Sequence, residues 1–373
     1  MSMSACDLSS LAREEVRTLP LYTPAVVDDA LDLSDSVNAW GAPPAALRAM
    51  AEPSAALVSH YPSPRSESLA PALLRYLGLD TVPGVRVVTG CGSDDVLDAA
   101  MRAFGSPGDR LAFSSPTFSM IPLFARLNGL EGVPVSYADN FDLDVDRLVE
   151  TGAKITYLCS PNNPTATPVS RAAVEYVARH AKGIVILDEA YAEFAPESFA
   201  DLAGRYERLL VVRTFSKAFG LAGLRVGYAA GAPDVIGMVE RARGPYKVSV
   251  LAERAVHAAL ADGEDALGWV QRHARLAVEI RERVAVALTR LGFPPLPSAA
   301  NFVCLPTPQA SRVAERLREQ KVLVRCFTAL PREPRLLSVA GGSALRVGMA
   351  PWESMQRFLD ALTGTLVELR SCE

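Results

Sequence analysis

The stretch VVRTFSKAFGLAGLRVGY (211–228) sets Lys217 just past an apolar run, follows it with Gly220, Ala222 and Gly223, and brings in Arg225 eight positions later. A lysine so placed is either a solvated charge at a strand end or a reactive amine that needs close backbone approach. Two further apolar runs end on polar groups. KITYL (154–158) leads into CSPNNPTATP, with Asn162 between prolines, and GIVIL (183–187) leads into DEAYAEF, with Asp188 at once and Tyr191 three residues on. Side by side, these three ends would aim an amine, a carboxylate, a phenol and an amide at one rim. An amine there can condense with an aldehyde. A carboxylate can keep a heterocyclic nitrogen protonated, and a phenol and an amide can hydrogen-bond a ring oxygen.

The elements that must hold this rim are legible around it. Short β-branched runs at 85–88, 110–113, 132–137, 154–158, 183–187, 209–213 and 225–230 read as seven strands. Several lack period-two alternation, as expected of strands covered on both faces. RAAVEYVARHA (171–181) puts Val174, Val177, Ala178 and Ala181 on one helical face, with Arg171, Glu175 and Arg179 turned away. Strand–helix alternation predicts an α/β fold with a mostly parallel sheet, whose ligands bind beyond the carboxyl ends of the strands. A helix-rich stretch from about 251 to 290, a proline-broken connection, and the strand candidates VLVRCF and ALRVGMA suggest a smaller α+β domain. The division expected is 1–55 as an N-terminal arm with part of the small domain, 56–275 as the large domain, and 276–373 as the C-terminal small domain.

The rim chemistry is what pyridoxal 5'-phosphate needs: a lysine for its aldehyde, Asp188 for its pyridine nitrogen, Asn162 and Tyr191 for its phenolic oxygen, and Ser216 with Arg225 for its phosphate. A second phosphate cradle can lie in VRVVTGCGSDDVLDAAMRAF (85–104). There a strand enters a glycine turn and a helix, so that Gly92, Ser93 and Asp94 would offer free N–H groups. Phe118 in SSPTFSM could stack on a ring. Plainer readings stand beside these. Asp188 could cap a helix, Tyr191 and Phe118 could be packing, and Asn162 could only stabilise a proline-flanked turn. Gly90 and Gly92 give a G-x-G without the third glycine or the acidic residue of a dinucleotide site.

Composition sets the outer bounds. The 373 residues carry a formal net charge of -4 without a concentrated basic run, which argues against a nucleic-acid partner. No apolar run reaches the ~20 residues of a membrane helix, and the N-terminus lacks the apolar segment of a signal peptide. Cys6, Cys91, Cys159, Cys304, Cys326 and Cys372 follow no metal spacing and fit buried, reduced thiols, so no metal is expected and a cytoplasmic location is.

HYPSP (60–64), GSDD (92–95), SPTF (115–118), SPNNPT (160–165), DEAY (188–191), the lysine segment and ALRVG (344–348) run in one order along most of the chain. In this the sequence resembles the pyridoxal-phosphate-dependent aminotransferases of the aspartate-aminotransferase fold, nearest their histidinol-phosphate branch. The resemblance implies an amino group moved between a small-molecule amine donor and a 2-oxo acid acceptor. Lys217 would bind the cofactor and shuttle the proton, Asp188 would pair with the ring nitrogen, and Tyr191 and Asn162 would touch the phenolic oxygen. Ser93, Asp94, Ser216 and Arg225 would bind the phosphate. It also implies a homodimer with a shared active site, in which Tyr61 reaches the neighbouring subunit's cofactor. Arg346 would bind the substrate's acidic end, Arg325 would add a second anionic contact, and Asn38 and Trp40 would lie on the substrate side.

Four positions depart from the family pattern. Phe118 stands where tyrosine is usual, and Cys326 where aspartate is common. Ala166 replaces a glycine, which predicts a turn without positive φ there. In SVNAWGAPP (36–44), Trp40 replaces a tyrosine. These substrate-side changes leave the amine donor open. They also leave open other chemistry on the same cofactor, such as decarboxylation of a phosphorylated amino acid or a cyclisation, and a binding module without catalysis.

Overall fold

The computed structural model of the chain describes residues 8–19, 21, 23, 27–51 and 55–371. Its centre is a seven-stranded sheet made of β2 (Arg86–Cys91), β3 (Arg110–Ser115), β4 (Glu131–Ser136), β5 (Ile155–Cys159), β6 (Ile184–Asp188), β7 (Leu209–Thr214) and β8 (Val226–Gly231), in the order β2-β8-β7-β6-β5-β3-β4. Only β8 runs against its neighbours; β7, β6, β5, β3 and β4 are parallel. Every residue of β5, β6, β7 and β8 is buried. The pleat sorts them into two apolar layers. Ile155, Ile186, Leu210 and Val212 face one way with Val96 and Met101, while Leu158, Val185, Leu187 and Val211 face the other with Val174 and Val177. A sheet buried on both faces needs apolar residues at every position, which is why these strands show no alternation.

Helix Arg171–His180 follows its sequence pattern. Ser170 caps it by accepting from Ala173 N, and Val174, Val177 and Ala178 are its buried face. A three-stranded antiparallel sheet, β11-β12-β9, lies in the C-terminal part, made of Arg325–Phe327, Ala344–Gly348 and Phe302–Pro306. The run VLVRCF is not one strand. Val322–Leu323 (β10) pairs in parallel with β1, Leu31–Asp32, whereas β11 pairs with β12. The chain changes partner at Val324, which local sequence does not reveal.

Cys159 and Cys304 are buried free thiols, but Cys91 is exposed and Cys326 half-buried. Burial of all six thiols is therefore corrected. Cys91 ends a strand and Cys326 lies on an edge strand, while Cys6 and Cys372 lie outside the described residues. Among the described residues no helix is long and apolar enough to cross a membrane, and no cluster of side chains has the make-up of a metal site.

Candidate active site

The carboxyl ends of β5, β6 and β7 lie side by side, because Cys159 is in register with Asp188, and Asp188 with Val212. Asp188 closes β6 at 3% exposure. Its Oδ2 accepts from the Tyr157 hydroxyl at 2.8 Å and its Oδ1 from the Ala190 amide at 3.0 Å. Burial pushes its carboxyl up to about 6, against the pull of those two donors. Lys217 sits in the turn after β7 with Nζ donating to the Asp35 carbonyl at 2.9 Å and 5.6 Å from the Tyr191 ring centre. Burial, then the positive charge of Arg346, draws its amine down to about 8, while Asp35 and Asp94 oppose this. Tyr191 is buried and meets Phe302 edge-on at 5.0 Å; burial raises its phenol well above the usual range.

Helix Gly92–Phe104 starts at the end of β2, and its N-cap, Cys91, supplies no side-chain bond to the first turn. Two glycines shape this cup. Gly92 has φ +82°, and a Cβ there would lie 2.4 Å from the Arg225 guanidinium. At Gly227 a Cβ would lie 2.1 Å from Ser93 N. Arg225 NH1 donates to Ser216 Oγ at 3.2 Å, and NH2 stands 3.6 Å from Asp94 Oδ2. Burial raises the Asp94 carboxyl, with Arg225 and Lys217 pulling the other way. Helix amides, a hydroxyl and a guanidinium are the donor set for a phosphate ester. Lys217, Asp188 and this cup together have the chemistry that pyridoxal phosphate requires.

The two adjacent asparagines divide their work. Asn162 is fully buried, and its side chain is spent inside the fold. Nδ2 donates to Pro116 O at 3.0 Å and to Thr165 Oγ1 at 2.8 Å, and Oδ1 accepts from Thr117 Oγ1 at 2.8 Å. Both amide hydrogens are taken up within the fold, so the side chain acts as a strut of the turn. Asn163, which the sequence reading passed over, turns the other way and accepts from Arg346 NH1 at 2.7 Å. Ala166 is a correction to the sequence reading: its φ is +66° despite the Cβ. The turn is held by Ala166 N donating to Asn162 O at 2.7 Å and Ala299 N to Ala166 O at 2.8 Å, which outweigh the local preference of alanine.

Arg346, central in β12, is 8% exposed. Besides Asn163 it reaches Ser34 O with NH2 at 2.6 Å, and its guanidinium lies 5.3 Å from the Phe302 ring centre. Its buried Nε has no partner. Arg325 is the residue directly opposite it on β11. Asn38 serves as a strut as well. Nδ2 donates to Ala218 O at 2.8 Å and Oδ1 accepts from Trp40 N at 3.0 Å. These two bonds pin the 38–41 turn beside Lys217. The contact is close, since a Cβ on Gly220 would fall 1.8 Å from Gly41 O. Trp40 is half-buried, 6.1 Å from the His273 ring, which stacks on Trp269 at 3.9 Å. Phe118 packs, partly buried, against the apolar layer that contains Val96 and Tyr157. Tyr61 stands outside this group, 82% exposed and stacked on Tyr246 at 4.7 Å.

Sequence reasoning also missed Tyr157, because one tyrosine in a buried apolar run reads as packing. The only signal was its hydroxyl, which needs a partner when buried.

The sequence and fold have close counterparts. The family described as "Aminotransferase class I and II" matches residues 28–362. A histidinol-phosphate aminotransferase of Roseiflexus castenholzii is 39% identical over 351 residues, covering 86% of this chain and 91% of that protein. One from Desulfitobacterium hafniense is 32% identical over 366 residues, with coverages of 95% and 97%. Among solved structures, the histidinol-phosphate aminotransferase of Sinorhizobium meliloti in complex with pyridoxal-5'-phosphate superposes with a TM-score of 0.80 at 25% identity, covering 91% of this chain and 92% of that one. The chain belongs to the class I and II aminotransferase family.

Proposed function

We propose that this protein is a pyridoxal-phosphate-dependent aminotransferase whose amine donor carries a phosphate, as histidinol phosphate does, and whose acceptor is a 2-oxo acid such as 2-oxoglutarate. The observation that carries the donor class is the register of Arg325 against Arg346. Two arginines at facing positions of neighbouring strands would give a multiply charged anion two cationic contacts. Support for the branch comes from relatives named histidinol-phosphate aminotransferase over nearly the whole chain.

In this reading Lys217, Asp188 and the cup of Gly92, Ser93, Asp94, Ser216 and Arg225 hold the cofactor. Phe118 would cover one face of the ring, and Tyr191 would approach its phenolic oxygen. When bound, pyridoxal phosphate supplies a ring that accepts negative charge from the carbon bearing the amino group. Asp188 keeps the ring nitrogen protonated. Lys217, with its amine drawn down to about 8, would serve as the general base that accepts the donor's α-proton on Nζ and then as the acid that gives it up. Arg346, aimed by Asn163, holds the acceptor's carboxylate, and Trp40 borders the donor's side chain. Residues 56–275 form the cofactor-binding domain in this reading, with 1–55 and 276–373 contributing the substrate-binding part. The assembly is a cytoplasmic homodimer in which exposed Tyr61 serves the partner's site.

A panel of amine donors with 2-oxoglutarate tests the reading. Glutamate should form fastest from phosphate-bearing donors. Carbon dioxide release without glutamate, or equal rates from donors with and without phosphate, would overturn it.

A further inference from the structure

Within the site, one buried contact has no part in the reading above. Tyr157 lies in β5 at 0% exposure, and its hydroxyl donates to Asp188 Oδ2 at 2.8 Å. The strand register makes the contact diagonal. Tyr157 is opposite Ile186 and Cys159 is opposite Asp188, so the ring of Tyr157 runs up the sheet to reach the carboxylate from below. The Ala190 amide takes the other oxygen. With one donor on each oxygen from two different elements, the carboxylate plane is fixed and its remaining lone pairs are aimed. We infer that Tyr157 is a positioning residue for Asp188: its hydroxyl orients the carboxylate toward the cofactor's ring nitrogen and holds it in the ionised form that the ring nitrogen needs.

The inference rests on Asp188 being the ring-nitrogen partner. A carboxylate this deeply buried is driven toward its neutral form, and a hydrogen bond donated to the charged form opposes that. The groups around it leave few other sources of such help. Cys159 on β5 is a buried thiol whose own ionisation burial suppresses. Asp94, on the helix that begins at Gly92, and Glu189 are like charges that disfavour ionisation of Asp188. Glu189 is paired with Arg213 of β7 at 2.8 Å, so that cation is already engaged. Tyr191, beyond β6, is kept protonated by burial. Burial and the charge of Asp188 likewise hold the Tyr157 phenol protonated, so it remains a donor. A tyrosine whose hydroxyl was merely satisfied by a nearby carboxylate would show the same distance. The two roles separate in how cofactor affinity responds.

The test is equilibrium binding of pyridoxal phosphate to the full-length cofactor-free protein, followed by absorbance and fluorescence from about pH 5 to 8. The proteins are the native sequence, Tyr157→Phe, Asp188→Asn and the double variant. As pH falls, affinity should fall once Asp188 is protonated. In Tyr157→Phe that fall should begin at higher pH, by about one unit, so that affinity is down about tenfold near pH 5, about twofold near neutrality and close to native at pH 8, the size of a lost hydrogen bond to a charge. In the double variant, affinity should be no weaker than in Asp188→Asn alone, because the tyrosine acts through the carboxylate. A loss in Tyr157→Phe that is equal at every pH, or one that adds in full to that of Asp188→Asn, would overturn the inference and leave a packing role. So would affinity indistinguishable from native. Native protein that binds no pyridoxal phosphate would instead defeat the underlying cofactor reading. Urea unfolding midpoints of all four proteins separate binding loss from misfolding.

Discussion

Arg346 on β12 donates to the side chain of Asn163 at 2.7 Å, so the loop after β5 aims an arginine of a different sheet. Its neighbour Asn162 is locked within the same loop. The pair should therefore respond differently to truncation. Asn162→Ala strips partners from Pro116, Thr117 and Thr165, and should lower stability by about 1–3 kcal/mol in urea unfolding. Asn163→Ala leaves a buried donor of Arg346 unpaired and should cost stability as well, but it alone should raise KM for the 2-oxo acid, about tenfold, the scale of one charged hydrogen bond. The reverse ranking would return the functional role to Asn162.

The buried amine of Lys217 sets a pH dependence. Its value of about 8, against 10.5 for an ordinary lysine, fixes where the attacking form is abundant. The rate of pyridoxal phosphate incorporation into the cofactor-free protein should rise about tenfold per pH unit below 8 and level off above it. A rise continuing to about pH 10 would show an unperturbed lysine. Linkage has a matching sign. Between about 8 and 10.5 the unfolded chain binds the extra proton, so cofactor-free stability should gain with rising pH there, and Lys217→Met should remove that gain.

Gly92 tests the phosphate cup. Alanine there puts a methyl 2.4 Å from the Arg225 guanidinium at φ +82°. The arginine must move, and the backbone strain costs roughly 1–2 kcal/mol. Pyridoxal phosphate affinity should drop about tenfold or more, on the scale of a charged hydrogen bond, while pyridoxal lacking the phosphate should bind both proteins alike. Equal losses for the two ligands would place the damage outside the cup.

Arg325 and Arg346 separate by substrate. Arg325→Gln should raise KM for a phosphate-bearing donor about tenfold or more and change KM for glutamate far less. An equal change for both would remove phosphate recognition from Arg325.

The strands and the rim were legible because burial on both faces leaves a continuous apolar signature, and because polar residues right after such runs can only sit at strand ends. Pairing partners were not. VLVRCF divides at Val324 because residues as distant as Leu31 and Ala344 compete for it. Nor could composition say which of two adjacent asparagines faces inward, a question decided by backbone direction in the turn. Ala166 misled for a related reason. The inference from its Cβ was sound for an isolated turn, and hydrogen bonds from Ala166 itself and from Ala299 overrode it.

The wall beside Lys217 and Arg346 is made early in the sequence and anchored late. Ser36 receives the side chain of Asn301, 265 positions away, Leu33 receives the amide of Gly348 at 2.8 Å, and β1 waits for β10. On a ribosome, the central sheet can assemble while these anchors are still unmade. The pocket then closes only as the final strands emerge. From the synthesis of Lys217 until that of Gly348, a newly made chain thus displays a catalytic centre whose amine has no enclosing wall.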